Sequence, residues 1–364
     1  RVTYLGFHRL EKSISLDGNI NLDLELIPDN LLADEVLVRA TRASENSAST
    51  YRNISKEELE KNNLGQDLPF LLNQTPSVVV SSDAGNGIGY TGIRIRGSDP
   101  TRLNVTINGI PYNDPESQGT FWVNLPDFAS SVDNIQIQRG VGTSTNGAGA
   151  FGGSLNIQTT TKQDSAYAEL NNTFGSYQTV KNTINAGTGL INNKFSFDGR
   201  LSRIVSDGYV DRGSSMLRSY FLSGAYYGKK DLLRINVFSG SEKTYQAWNG
   251  VPENLLKTNR TFNGFSYDDQ TDNYTQDHYQ FLYSHTFSDK ISANSALHYT
   301  YGRGYYEEFK EGQKLENYGI NPQIVGGTTI ARSDLVRRRW LDNRFYGLTY
   351  SLNYTPSKVL TITL

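Results

Sequence analysis

Aromatic or aliphatic residues alternate with polar residues along the C-terminal part of this 364-residue chain. Tyr279, Phe281 and Tyr283 share one face of such a segment. Gln280 and Ser284 lie on the other face. A period of two residues predicts β-strands with one apolar and one polar face, because successive side chains of a strand point in opposite directions. This part of the chain is therefore predicted to form sheet, and a helical fold is excluded for it.

The sequence predicts eight such strands and the start of a ninth. They cover residues 166–174, 178–190, 194–205, 217–228, 232–245, 273–287, 290–306 and 337–355, and the ninth begins at Val359. Short links at residues 192–193, 229–231, 288–290 and 356–358 alternate with loops at residues 206–215, 246–272 and 307–336. Outer-membrane barrels have short periplasmic turns and long outer loops, so this alternation predicts a transmembrane antiparallel β-barrel and its orientation.

The composition fits a β-rich membrane protein. There are 23 Tyr, 16 Phe and 34 Gly but one Met and no Cys, which suits pleated surfaces and aromatic girdles better than helical cores. No stretch approaches the roughly 20 apolar residues of a membrane helix. A formal net charge of -2 without clustered Lys and Arg offers no surface for nucleic acid. The lack of cysteine excludes disulfides and thiolate metal sites.

Residues 53–162 show a mixed pattern that predicts a compact α+β domain. Ser55 and Glu58 form a capping box at the start of a predicted helix. Asn108 and Gly109 predict a tight turn. A second helix is predicted over residues 67–73, and strands are predicted near residues 77–80, 93–97, 103–107, 135–139 and 154–158.

The motifs of this α+β domain resemble, in order and spacing, the plug domain of the TonB-dependent outer-membrane receptors. In that family the plug lies inside a barrel of about 22 strands, so residues 163–364 would form only part of the barrel wall. Gln136 and Val141 stand where many relatives have an acidic residue and a proline. The matching motifs are Thr75-Pro76-Ser77-Val78, residues 93–97, residues 104–112, Gln138-Arg139-Gly140 and residues 152–157.

Two segments are predicted before the plug. Residues 1–30 resemble the end of a carboxypeptidase-regulatory-like β-sandwich, through residues 4–7 and the alternation around Leu22. Residues 31–52 are predicted to form a polar linker with one strand that could pair with another protein by β-augmentation. From pattern alone this strand could equally leave the preceding domain, but it is similar to the TonB box of the family. The TonB-box residues are Asp34, Glu35, Val36, Leu37, Val38, Arg39 and Ala40.

Polar and aromatic residues near the plug apex and one outer loop are candidates for ligand binding, since aromatic faces beside amides suit a flat or sugar-like molecule. The same side chains could instead pack beneath the loop. Three arginines are predicted to contact the polar inner wall, because buried charge needs a partner. The ligand-binding candidates are Arg96, Tyr112, Asn113, Gln118, Phe121, Trp122, Tyr245 and Trp248, and the plug–barrel contacts are Arg94, Arg96 and Arg139.

No sequence pattern predicts catalysis, a resident metal or a cofactor, so iron or cobalt would enter only as part of a ligand. Residues 147–152 match the dinucleotide pattern G-x-G-x-x-G, but a predicted strand follows where a helix is needed. The four histidines have no ligand spacing. Asp268, Asp269 and Asp272 could hold a surface calcium ion, although a hydrated acidic loop is more common. The chain is predicted not to be an enzyme.

The family resemblance implies a receptor in the Gram-negative outer membrane, with its plug and N-terminus facing the periplasm. Such a receptor binds a scarce extracellular ligand, here predicted to be an iron chelate, haem or cobalamin. It imports the ligand with energy that TonB transmits from the ExbB–ExbD motor. Membrane lipid, lipopolysaccharide and a surface lipoprotein are further expected partners.

Several alternatives to this function stay open. They are a glycan or peptide importer of the same family, a porin or adhesin without active transport, and a soluble sugar-binding protein. The last predicts folding without detergent. Both ends of the chain fall within β-type patterns, which predicts a piece of a longer protein.

Overall fold

The computed structural model describes residues 2, 10–15, 17–26, 42–43, 49–142, 149–159, 162–357 and 360–363. Among these residues, no helix has the length and apolar character needed to cross a membrane. The α-helices in the described ranges are α1 (Lys56–Asn62) and α2 (Leu68–Leu71). The strands are β1 (Thr50–Ser55), β2 (Val78–Ser82), β3 (Thr91–Ile95), β4 (Leu103–Ile107), β5 (Ile110–Pro111), β6 (Val132–Arg139), β7 (Gly153–Thr159), β8 (Tyr167–Gly175), β9 (Thr179–Gly187), β10 (Phe195–Ser206), β11 (Ser215–Tyr227), β12 (Asp231–Tyr245), β13 (Thr271–Ser288), β14 (Ile291–Lys314), β15 (Gln323–Val325), β16 (Thr328–Ile330), β17 (Arg332–Ser357) and β18 (Leu360–Thr363).

The first part of the chain folds into an α+β domain. Its sheet has the order β1-β6-β7-β4-β5, in which β4 and β7 are parallel and the other neighbours antiparallel. β2 and β3 form a separate hairpin. Helix α1 begins as predicted, because the Ser55 hydroxyl accepts a hydrogen bond from the Glu58 amide at 3.4 Å. Asn108 and Gly109 have φ values of 55° and 78° and form the predicted tight turn between β4 and β5.

Alternate aliphatic side chains of the strands fill the interior of this domain. Ile135 and Ile137 of β6 and Leu155 of β7 are fully buried. They belong to one apolar cluster, which also contains Phe221 and Phe238 of the large sheet. The α+β domain and the large sheet therefore share a continuous core.

Nine strands form the large sheet, in the order β18-β17-β14-β13-β12-β11-β10-β9-β8. All neighbours are antiparallel, so the connections lie alternately at its two ends. β9 ends at Gly187, before the predicted residue 190, so residues 188–194 connect it to β10. Asn192 and Asn193, with φ values of 50° and 54°, make a tight turn there, closed by a bridge between Ile191 and Phe195. Residues 207–214, 246–270 and 315–331 form the longer connections at the other end. Apart from the β8–β9 turn of residues 176–178, which lies at the end of the longer connections, the predicted separation of short turns from long loops is confirmed.

The two faces of the large sheet differ in polarity, as predicted. Tyr279 of β13 and Tyr350 of β17 are exposed, Tyr350 by 62%. Gln280 lies on the opposite face of β13 and is buried. The α+β domain packs on this polar face, where the Asn108 amide donates to Gln280 Oε1 at 3.0 Å. We call the α+β domain the plug and the nine-stranded sheet the wall, whose polar-inside and apolar-outside pattern is that of a water-filled barrel.

Two predicted boundaries require correction. β14 continues to Lys314 and β17 begins at Arg332, so the loop predicted over residues 307–336 is shorter and contains the β15–β16 hairpin. The ladder continues through an ion pair of 2.5 Å between Glu307 and Arg338, which are paired in register. Residues 50–52, predicted as linker, belong to β1, because their main chain pairs with β6.

The N-terminal prediction is not confirmed in the described residues. Residues 17–26 form no strand. Alternating apolar and polar residues can give a segment one apolar face, but a strand also needs a neighbouring strand for its main-chain hydrogen bonds. Val2 and Leu10 form an isolated antiparallel bridge. Residues 4–7, which carried the resemblance to a β-sandwich, lie outside the described residues.

Candidate ligand site and plug–wall contact

One aspartate of the plug binds two cations of the wall. Asp127 has a left-handed φ of 50°, and its buried Oδ1 lies 2.7 Å from Lys181 Nζ of β9. Its Oδ2 lies 3.5 Å from Arg200 Nη1 of β10. Thr183 and Ser202 donate to Oδ2 at 2.5 and 2.7 Å. The buried charges are thus neutralised and hydrogen-bonded together, which burial of charge requires.

This cluster keeps Asp127 ionised. Burial by itself would raise the pKa of the carboxyl, but the charges of Arg200 and Lys181 outweigh that effect and lower the pKa to about 2. Arg200 also donates to the main-chain carbonyl of Asp127 at 2.8 Å. The cluster therefore fixes both the side chain and the main chain of the plug at one point of the wall.

The arginines predicted to reach the wall make their described contacts within the plug. Arg94 forms an ion pair with Asp99 at 3.6 Å, and both side chains are about half exposed. Arg96 donates to the hydroxyl of the first β1 residue at 3.2 Å. Arg139 donates to a plug carbonyl at 3.4 Å. That these arginines contact the wall stays a prediction, and in the described plug–wall ion pairs the acid lies on the plug and the cations on the wall.

A cavity of about 460 Å³ lies between the plug and the wall, at the end that carries the long loops. The plug lines it with the β2–β3 loop and the loop after β5, and the wall lines it with β12, β13, β14, β17 and the β12–β13 loop. Among the described residues that line it there is no lysine, arginine or histidine. The aromatic lining residues are Tyr90, Phe121, Trp248, Tyr274 and Tyr306, and the acidic ones are Asp83, Asp114, Glu116, Glu242 and Asp272.

Glycines allow the β2–β3 loop to approach the wall. Gly89 has a φ of 92°, and a Cβ on it would lie 2.8 Å from Ser215 Oγ of β11. Gly87, with a φ of 83°, approaches α2 in the same way. A larger residue at either position would combine a strained backbone with a steric clash. The loop is thereby held between α2 and the wall, which places Asp83 and Tyr90 in the cavity.

Trp248 connects the longest loop to the plug and the wall. Its ring lies 5.5 Å from that of Tyr90 at 70°, and 5.6 Å from that of Tyr306 at 71°. These are edge-to-face contacts, the geometry that aromatic quadrupoles favour. Because Trp248 is still 38% exposed, part of its ring is available to a ligand.

Two wall carboxylates in the lining are buried, and each has one oxygen without a partner among the described residues. Glu242 of β12 and Asp272 of β13 are each 5% exposed. Glu242 Oε2 and Asp272 Oδ1 have no hydrogen-bond partner among the described residues. The other Asp272 oxygen accepts from the Tyr90 hydroxyl. Burial, and then the charges of Glu242 and Asp272, raise the pKa of Tyr90 well above its usual value, so this hydroxyl stays a donor. Burial also raises the pKa of Asp83 to about 6.

A smaller cavity of about 200 Å³ adjoins the first and shares Phe121 with it. Tyr112 and Asn113 line it. The Tyr112 hydroxyl donates to Gln276 Oε1 of the wall at 3.3 Å. Asn113 accepts from the Val105 amide at 2.8 Å and donates to two main-chain carbonyls. Its amide therefore holds the loop after β5 and has little capacity left for a ligand.

Four of the eight predicted ligand-binding residues line a cavity, namely Tyr112, Asn113, Phe121 and Trp248. The other four do not line either cavity, and their role in ligand binding stays a prediction. Trp122 is 2% exposed and belongs to the plug core. The buried Tyr245 donates its hydroxyl to a loop carbonyl at 2.7 Å. Gln118 closes its own loop by donating to Pro115 at 2.8 Å, and Arg96 lies at the β1 edge of the plug.

The cavity also contains residues that sequence reasoning missed. Tyr90, Glu242, Tyr274 and Tyr306 were not predicted, and Asp272 was considered only as a calcium ligand. No group of three or more histidine, cysteine, aspartate or glutamate residues in the described ranges is arranged to hold a metal ion. The signal that could have identified Glu242 is its position on the polar face of β12, where most neighbours are uncharged.

The predicted TonB box, residues 34–40, lies outside the described residues. Immediately after it, Arg42 donates to the Asn156 carbonyl at 3.0 Å. The Ala43 amide donates to Gln136 Oε1 at 2.7 Å, and the Ala43 carbonyl accepts from Gln136 Nε2 at 3.0 Å. Gln136 therefore binds the main chain of Ala43 in both directions. The carboxylate of many relatives could accept here but could not donate.

Comparison with known proteins supports the reading of this domain as a plug. Residues 43–154 match the family model described as TonB-dependent Receptor Plug Domain. The vitamin B12 transporter BtuB of Vibrio vulnificus is 30% identical over 129 residues, which are 35% of this chain and 20% of that protein.

Solved structures with the same fold include three transport proteins. The open form of the ferric-catecholate import receptor Fiu from E. coli K12 has a TM-score of 0.64 at 16% identity, over 86% of this chain and 47% of that one. The siderophore receptor PirA from Acinetobacter baumannii has a TM-score of 0.60 at 16% identity, with 86% and 46% covered. The copper transporter OprC has a TM-score of 0.63 at 14% identity, with 86% and 46% covered. Such identities show the fold alone, and this chain spans less than half of each of these structures.

Proposed function

We propose that this chain, which belongs to the TonB-dependent receptors by its plug and its fold, is the plug and part of the wall of an outer-membrane transporter. The transporter binds a scarce extracellular ligand and imports it to the periplasm. One observation carries this proposal: the plug is seated on the polar face of a wall whose other face is apolar and exposed. Such a plug closes the lumen of a barrel, and an apolar outer face suits lipid.

The loop lengths support an orientation for this transporter. Barrels of the outer membrane keep short turns in the periplasm and long loops outside. The long β12–β13 and β14–β17 connections would then face the external medium, together with the cavity that contains Trp248. A ligand arriving from outside would meet this cavity before it meets the rest of the plug.

For the ligand, the relatives suggest a small molecule that carries a metal. Similar proteins are named as a vitamin B12 transporter, a ferric-catecholate import receptor and a copper transporter. An iron chelate, haem or cobalamin is therefore our proposed ligand class. The chain would hold this cargo through side chains of the cavity, without a resident metal of its own.

Transport requires that a signal reach the segment before the plug. Ligand binding would favour a plug state in which residues 34–40 are free to pair with TonB, which uses main-chain hydrogen bonds of the β-augmentation type. Gln136 is well placed to control this step, because it holds Ala43 three residues after the TonB box. The energy would come from the inner membrane through TonB and the ExbB–ExbD motor.

Deletion of residues 34–40 from the full-length protein tests energy coupling. Cells would be supplied in turn with a labelled ferric chelate, haemin and labelled cyanocobalamin, and surface binding and uptake would be measured separately. The probe that binds should still bind to the deletion variant but should no longer enter the cell. Deletion of residues 17–23, a segment of equal length, is the control and should leave uptake intact. Normal uptake by the 34–40 deletion would contradict the proposal.

A further inference from the structure

The cavity between plug and wall is lined by acidic side chains from both partners. The plug supplies Asp83, Asp114 and Glu116, and the wall supplies Glu242 and Asp272. No cationic side chain is among the described residues that line it. Arg339 lies 5.4 Å from the centre of the Tyr306 ring, but it is exposed and does not line the cavity.

Two of these carboxylates are candidates to bind a cationic group. Glu242 and Asp272 are each 5% exposed, and one oxygen of each has no hydrogen-bond partner among the described residues. A buried carboxylate is costly unless a cation or several donors compensate it, and otherwise the carboxyl takes up a proton. Asp127 of the plug is compensated, since it has Lys181 at 2.7 Å and Arg200 at 3.5 Å. No described cation lies in the lining beside Glu242 and Asp272, so a bound cation would stabilise their ionised forms.

The aromatic residues of the same cavity specify what kind of cation fits. The rings of Tyr90, Trp248 and Tyr306 adjoin one another at 5.5 and 5.6 Å. Aromatic faces attract an organic cation through their quadrupole, and clusters of such rings recognise ammonium groups. A bare metal ion would instead need several oxygen ligands in a close shell, and no such group of acidic residues occurs in the described ranges.

We propose that this cavity binds a positively charged organic group, of the ammonium or pyridinium type, on the ligand that the receptor imports. Glu242 and Asp272 neutralise its charge, and Tyr90, Trp248 and Tyr306 contact its apolar surface. The inference rests on the proposed function, because it specifies the cargo of that same site. It also selects among cargoes: a ferric catecholate complex, which carries net negative charge, would be repelled by Glu242 and Asp272.

A set of three probes with the same two-ring shape tests the sign of the charge. Methyl viologen is a dication, bipyridine is neutral near neutral pH, and biphenyl dicarboxylate is a dianion. Each would be titrated by calorimetry into the full-length protein in detergent micelles. We expect methyl viologen to bind at least about tenfold more tightly than bipyridine, a difference of about 1.4 kcal/mol. Biphenyl dicarboxylate should bind most weakly.

Isosteric variants test which residues are responsible for binding the cation. Glu242→Gln and Asp272→Asn should each weaken methyl viologen binding by about tenfold and leave bipyridine binding nearly unchanged. Glu253→Gln removes an acid of the β12–β13 loop that does not line the cavity, and it should change neither affinity. Each variant is also run in electrophoresis with and without heating. A difference in mobility between the two samples shows that its barrel is folded.

Three results would overturn the inference. They are the absence of saturable methyl viologen binding, equal or tighter binding of the dianion, and unchanged affinity in folded Glu242→Gln protein. These outcomes are separate from failure of the proposed function. If methyl viologen binds as expected but uptake of the natural cargo does not need residues 34–40, the charge preference stands and the transport mechanism is wrong.

Discussion

Asp127 of the plug and Lys181 of the wall form an ion pair of 2.7 Å, in which the two side chains are 0% and 2% exposed. Arg200 approaches the other carboxylate oxygen at 3.5 Å. A cluster of this kind gives little net stability compared with apolar packing, but it is costly to break by removing one member. It therefore defines a single position for the plug on the wall.

Replacing Asp127 with asparagine should lower the free energy of plug unfolding by about 3–5 kcal/mol, because Lys181 and Arg200 would be left buried and unpaired. Hydrogen exchange of β6 amides at increasing denaturant measures the free energy of plug unfolding. Asp99→Asn removes a plug aspartate whose ion pair with Arg94 is half exposed, and it should have little effect. Equal effects of the two substitutions would show that the buried cluster does not hold the plug.

Acid should loosen this contact within a defined pH range. Although burial opposes it, the charges of Arg200 and Lys181 lower the pKa of Asp127 to about 2 in the folded protein, from an ordinary value of 3.8. Between these two pKa values the folded carboxyl binds fewer protons than the unfolded one. Its contribution to the free energy of unfolding is therefore complete above about pH 4 and is lost as the pH falls towards about 2. Plug stability, measured by hydrogen exchange, should fall in the parent protein as the pH is lowered from about 4 to about 2. Asp127→Asn should abolish the part of this fall that is due to the Asp127 carboxyl.

Asp67 should have the opposite pH dependence. Burial raises the pKa of its carboxyl to about 8, and only the Thr91 hydroxyl at 2.9 Å is a described side-chain donor to it. The folded state therefore holds a proton that the unfolded state releases above about pH 4, and stability falls by about 1.4 kcal/mol per pH unit up to about pH 8. Asp67→Asn should remove this slope and stabilise the plug at neutral pH. A slope that persists in Asp67→Asn protein would assign it to another group.

Two tryptophans predicted alike from the sequence should behave differently. Trp122→Ala should cost about 3–5 kcal/mol of plug stability, because its ring fills the apolar core. Trp248→Ala should leave plug stability nearly unchanged and weaken methyl viologen binding, since its ring is partly exposed in the cavity. Denaturation and calorimetry of both variants make the comparison. If Trp122→Ala protein had normal stability but lower affinity for methyl viologen, Trp122 would belong to the binding site.

Gln136→Leu should release the chain next to the TonB box. The substitution removes both hydrogen bonds to Ala43, so exchange of the Ala43 amide should accelerate by tenfold or more, as expected for loss of roughly 1.4 kcal/mol of protection. Gln158→Leu alters another glutamine, which accepts from Asn134 and does not contact Ala43, and it is the control. Unchanged exchange at Ala43 in Gln136→Leu protein would show that this segment is held by other contacts.

Most of the architecture could be predicted because strand alternation is a local signal. The exposed Tyr279 and the buried Gln280 follow directly from the period of two, and Asn192 and Asn193 mark their turn by tolerating positive φ. The lengths of β14 and β17 could not be predicted from the same signal. Both strands extend beyond the segment with alternating apolar and polar residues. This extension depends on cross-strand pairs such as Glu307 with Arg338, which become neighbours only when the two strands pair.

The candidate site was less predictable, because burial there depends on contacts between distant segments. Trp122 follows the polar residues 113–120 and was predicted with them, yet a 3-10 turn directs it into the core. Glu242 and Asp272 alternate like other inward residues, and nothing local distinguishes a position that faces the plug from one that faces the cavity. The ion pair of Asp127 with Lys181 was not predicted for the same reason, because the two residues meet only in the folded structure.

The proposed function requires lipid on one side of the wall and the plug and cavity on the other. This chain has no cysteine, so Leu297→Cys and Thr300→Cys can each be spin-labelled in full-length protein, freed of any cysteine elsewhere and reconstituted into liposomes. Leu297 of β14 is 51% exposed on the outer face, whereas Thr300 of the same strand lines the smaller cavity. The account predicts that molecular oxygen, which concentrates in lipid, relaxes the Leu297 label far more than a water-soluble nickel chelate does, and that the Thr300 label does not share this preference. A Leu297 label that is relaxed mainly by the nickel chelate would contradict the account.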